Sequence, residues 1–124
     1  MAQVLDYLIF DYSEDEDGNG AWDAMASVAA ARLPALTSEI EALLQWAASR
    51  FPGRRGALED GADWDYDLCA QDDLGQPLAA SFDPHQRQLR LSAAAHGNTT
   101  VTLTLSGSPA FAQALRESFE VDGG

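Results

Sequence analysis

The chain has 124 residues, 46% hydrophobic and 22% charged, a length and balance that suit one globular domain with a real core. Its 20 acids face seven arginines and no lysine, giving a net charge of −13. That imbalance excludes direct nucleic-acid binding, which needs a basic stripe to displace counterions, and disfavours anionic membrane surfaces.

Val4 to Tyr12 predicts a strand. Leu5, Tyr7 and Ile9 fall on one face and Val4, Leu8, Phe10 and Tyr12 on the other. Apolar residues on both faces predict an interior position in a sheet. An acidic loop follows and turns on Gly18, Asn19 and Gly20. Ala21 to Val28 reads best as a second strand, with Trp22, Ala24, Ala26 and Val28 on one side. It would return as a hairpin through Asp-Gly-Asn-Gly. A helix is the alternative, because Trp22, Met25, Ala26 and Ala29 also have helical spacing.

Pro34 to Phe51 predicts a helix with one apolar stripe: Leu36, Ile40, Leu43, Leu44, Ala47 and Phe51. Pro34 suits its first position, Ser38 and Glu41 offer a capping box for a later start, and Pro52-Gly53 stops it. After a loop carrying Arg54 and Arg55, residues 63 to 70 alternate. Trp64, Tyr66, Leu68 and Ala70 oppose Asp63, Asp65, Asp67 and Cys69, which predicts a half-exposed strand with a rail of carboxylates. Leu78 to Phe82 and Gln88 to Ser92 predict a hairpin around Asp83-Pro84-His85-Gln86. Thr99 to Ser106 alternates as a strand with one wet face. Ser108 as N-cap and Pro109 begin a last helix running to about Phe119, burying Phe111, Leu115 and either Ser118 or Phe119.

The order β(β)αββββα predicts an α+β fold over 1–124, a mainly antiparallel sheet of about five to six strands with two principal helices. Residues 119–124 read as a frayed tail.

The single cysteine, Cys69, excludes an intrachain disulfide, and one Cys with two His does not furnish a closed zinc site. No signal peptide or bilayer-spanning run is visible, so the cytoplasm is the expected location. Abundant alanine with arginine in place of lysine suggests a GC-rich bacterial source.

Two segments hold 13 of the 20 acids: Asp11, Glu14, Asp15, Glu16, Asp17 and Asp23 in the first, and Glu59, Asp60, Asp63, Asp65, Asp67, Asp72 and Asp73 in the second. In the first, Asp15, Asp17, Asn19 and Gly20 are spaced D-x-D-x-N-G, with Asp23 further on. This resembles the first half of an EF-hand calcium loop, where such oxygens converge on the ion and glycine permits the turn. Asp15, Asp17, Asn19 and Asp23 are the candidate ligands and calcium the candidate cofactor. The match stops at Ala26, where the loop's bidentate Glu would stand, and a strand precedes it. A solvated hairpin tip is the plainer reading.

The leading expectation is a non-enzymatic interaction module that presents Asp15, Asp17, Asp63, Asp65 and Asp67 to a basic protein partner. Immunity proteins, antitoxin-like inhibitors and nucleic-acid mimics use surfaces of this charge. A calcium-stabilised domain is the alternative. A hydrolase with paired carboxylates, such as Asp11 with Asp65, comes third. No catalytic motif or phosphate-cradling loop is present, and His85 and His96 read as surface turn residues.

Overall fold

Side-chain alternation builds the centre of the sheet. The computed structural model describes residues 5–83 and 85–119. β1 (Phe10–Glu14) and β2 (Gly20–Ala29) form the expected hairpin. β7 (Asn98–Gly107) lies between β2 and β3 (Trp64–Gln71). With the short β4 (Pro77–Leu78) they make an antiparallel sheet of order β1-β2-β7-β3-β4. β5 (Ala80–Asp83) and β6 (Gln88–Leu91) pair as a separate hairpin. The run 78–82 is thus split between two sheets, which raises the strand number above the expected five to six.

Trp22, Ala24, Ala26 and Val28 of β2 and Val101, Leu103 and Leu105 of β7 are buried on one face. Asp23, Met25 and Ser27 are exposed on the other, beside Thr100, Thr102, Thr104 and Ser106. In α1 (Leu33–Arg50), Leu36, Ile40, Leu43, Leu44 and Ala47 are fully buried in the same core. Burial of Leu43 or Leu44 contributes roughly 1.5–3 kcal/mol each. The helix starts at Leu33, so Ser38 forms no cap. Glu41 instead accepts a hydrogen bond from the Leu89 N–H at 2.8 Å, tying α1 to β6.

Ser108 caps α2 (Pro109–Ser118) by accepting from the Phe111 N–H. Gly20 and Gly107 stand opposite each other across β2 and β7. The Phe111 ring packs over Gly107, with ring centroids 6.1 Å from Trp22, 5.8 Å from Trp46 and 5.8 Å from Trp64. Phe119 is buried and meets Trp46 edge-on, so it is an anchor and not part of a frayed end. Residues 120–124, Val4 and Pro84 lie outside the described residues.

The first strand is shorter than expected and sits at an edge. The Glu39 carboxylate on α1 accepts from the N–H groups of Asp6, Tyr7 (3.0 Å) and Leu8 (2.8 Å). Amides committed to a side chain cannot join a strand ladder. β1 therefore begins at Phe10, and Ile9 is 79% exposed. Among the described residues, no helix is long and apolar enough to cross a membrane.

Candidate functional site

Several acids serve the backbone. Asp15 Oδ1 accepts from the N–H groups of Asp17 and Asn19, each at 2.9 Å, and Oδ2 accepts from the Asn19 amide at 3.0 Å. These donors, led by the Asn19 side chain, hold the Asp15 carboxyl below its ordinary value. Asp72 accepts from Leu74 and Gln76, and Asp73 accepts from the Asn98 N–H. Asp83 accepts from the N–H groups of Gln86 and His85, which lower its pKa in the same way.

The 15–19 loop is therefore an Asx-type hairpin tip whose first carboxylate is occupied by its own donors. Asp23 lies within β2, and its Oδ1 accepts from the Thr104 hydroxyl at 2.8 Å. Among the described residues, no group of three or more His, Cys, Asp or Glu is arranged to hold a metal ion.

The carboxylate rail is divided. The Arg54–Arg55 loop runs beside β3, with the Asp63 N–H donating to the Arg54 carbonyl and the Gly56 N–H to the Trp64 carbonyl. Asp63 consequently pairs with Arg54 at 2.7 Å and Asp65 with Arg55 at 3.1 Å. Of the three rail residues only Asp67 has no arginine beside it among the described residues.

Strand register joins the two acidic segments. Asp11 of β1 is opposite Asp23 of β2, Asp23 is opposite Thr104 of β7, and Thr104 is opposite Asp67 of β3. The four residues form one row across the open face. Strand spacing puts Asp23 and Asp67 about 10 Å apart, and opposed Cβ atoms such as those of Asp11 and Asp23 about 5 Å apart. Met25, 66% exposed, stands in the adjoining row with Thr102 and Cys69. Asp15 and Asp17 project from the hairpin tip at the end of the sheet where β3 begins. There Gly18 adjoins Pro109, and the Asp63 carbonyl accepts from the Ser108 N–H.

Asp11 and Asp65 occupy different rows, three strand spacings apart, or roughly 14 Å. Paired glycosidase carboxylates stand about 5–9.5 Å apart.

The sequence reading missed a cleft of about 380 Å³ between the end of α1, β3 and the β5–β6 turn. Phe51, Trp64, Tyr66 and Phe82 line it together with Arg55, His85 and Arg87. These residues come from three separated segments, and only the packing of the β5–β6 hairpin against α1 and β3 assembles them. The one available signal was an arginine at the end of a turn, where glycine or asparagine is usual. Compared with family models, curated proteins and solved structures, the chain matches none.

Proposed function

We propose that this domain is a non-enzymatic interaction module whose open sheet face receives a basic protein partner, in the manner of an inhibitor or immunity protein. The observation that carries the reading is the row Asp11–Asp23–Asp67. None of these three accepts from the backbone or pairs with an arginine among the described residues, unlike Asp63 and Asp65. Asp23 accepts only from the Thr104 hydroxyl of the same row, and among the described residues Asp11 and Asp67 have no partner; a binding protein's arginines or lysines would engage all three. Asp15 and Asp17 flank the face at the hairpin tip, and the exposed Met25 adds the adaptable apolar contact common at interfaces. The −13 charge steers a cationic partner inward and suppresses association with anionic surfaces. Within this reading the domain meets its partner in the cytoplasm.

Titration of isotope-labelled protein with an oligo-arginine peptide tests the reading by amide shift mapping. The expected perturbations centre on Asp11, Asp23, Asp67 and Thr102–Thr104. Perturbations spread evenly over the exposed acids, Glu59 and Asp60 included, would show attraction to net charge without a site.

A further inference from the structure

We propose that the cleft between α1, β3 and the β5–β6 turn binds a small planar aromatic carboxylate, at a site separate from the acidic sheet face. Its volume of about 380 Å³ lies within the range of small-molecule sites. Phe51, Trp64, Tyr66 and Phe82 give the cleft an aromatic lining against which a ligand ring can pack. Two of the chain's seven arginines and one of its two histidines line the same space.

The two arginines differ. Arg55 is already held, its guanidinium 4.4 Å from the Tyr66 ring centroid and its Nε 3.1 Å from Asp65. Arg87 is uncommitted: among the described residues no carboxylate or carbonyl accepts from its guanidinium. Its backbone is also unusual. Arg87 has φ +54°, the only non-glycine residue with positive φ among those described. A side chain is disfavoured there, and glycine would sit without strain. The strained turn is fixed by the Gln45 side chain, which donates to the Arg87 carbonyl. Local strain that the surroundings enforce is characteristic of ligand-binding positions. Here the strained residue lines an aromatic cleft, and an arginine's planar five-donor fork is the group that receives a carboxylate bidentately.

The neighbouring acids are engaged. Asp65 pairs with Arg55, and Asp83 accepts from the His85 and Gln86 N–H groups. Repulsion from more distant carboxylates is screened over about 8–10 Å at ordinary salt. A cationic ligand is disfavoured because two arginines, Arg55 and Arg87, line the same cleft.

Calorimetric titration with 2-naphthoate, 2-naphthalenemethanol and 2-naphthylmethylammonium separates charge from ring. The expected result is saturable naphthoate binding, about tenfold tighter than the alcohol, with the ammonium weakest. Arg87→Gly should keep or raise the melting temperature, because it removes the strain, yet abolish the preference for the carboxylate. No saturable naphthoate binding, equal affinity for the alcohol, tighter binding of the ammonium, or unchanged naphthoate affinity in folded Arg87→Gly would each overturn the proposal.

Discussion

Asp11 and Asp23 face each other directly across the β1–β2 pairing, two carboxylates on the exposed side of the sheet. Like charges at opposed positions destabilise an antiparallel pair. Asp11→Asn should therefore stabilise the isolated domain by roughly 0.2–1 kcal/mol, with a smaller gain at high salt. Denaturant midpoints at two ionic strengths measure this. A midpoint that falls in both would mean that the pair is not repulsive.

Asp15 is predicted to act on folding and not on an ion. Asp15→Ala removes the acceptor for the Asp17 and Asn19 N–H groups and should lower the melting temperature equally in calcium and in chelator. The folded pKa of Asp15 is depressed, so its contribution is present above the ordinary aspartate value, about 3.9, and disappears as pH falls through the lower folded value. The difference between parent and variant should shrink over that acidic range. A difference that appeared only with calcium would restore the ion-loop interpretation.

The aromatic core turns on Phe111 and the glycine beneath it. Phe111→Ala should cost about 3–5 kcal/mol, since the ring touches three tryptophans and Phe51. Gly107→Ala places a methyl group into that ring and should cost roughly 1–3 kcal/mol. Chemical denaturation with unchanged m-values is the appropriate measurement. Near-neutral behaviour of both variants would contradict this packing.

Glu39 holds three successive amides of the N-terminal segment. Glu39→Ala should speed hydrogen exchange at Tyr7 and Leu8 and lower stability by about 1.5–3 kcal/mol. Exchange at those amides that did not change would remove the explanation for the late start of β1.

What the sequence made legible was periodic. The stripe from Leu36 to Ala47 and the Ser108 cap appear in the structure, and the alternations read over 21–28, 63–70 and 99–106 appear as strands at Gly20–Ala29, Trp64–Gln71 and Asn98–Gly107. Residues 5–9 misled because apolar side chains suggest a strand, while the fate of their amides depends on Glu39, far away in the chain. The Asp63, Asp65 and Asp67 rail had correct spacing, but its pairing with Arg54 and Arg55 required the path of a loop. The row Asp11–Asp23–Asp67 depends on strand order, which alternation does not encode. The cleft residues Phe51, Tyr66, Phe82 and Arg87 belong to separate elements, and no local pattern shows that these elements meet.

The central claim is that the open sheet face, and not net charge alone, recognises a basic partner. The direct test is the association rate of an oligo-arginine peptide at low and moderate salt for three proteins. They are the parent, Asp11→Asn/Asp23→Asn/Asp67→Asn, and the equally charged control Glu59→Gln/Asp60→Asn/Glu117→Gln. The face variant should associate more slowly than the control, lose more affinity and show the weaker salt dependence. Equal rates, affinities and salt slopes in the two variants would contradict the claim.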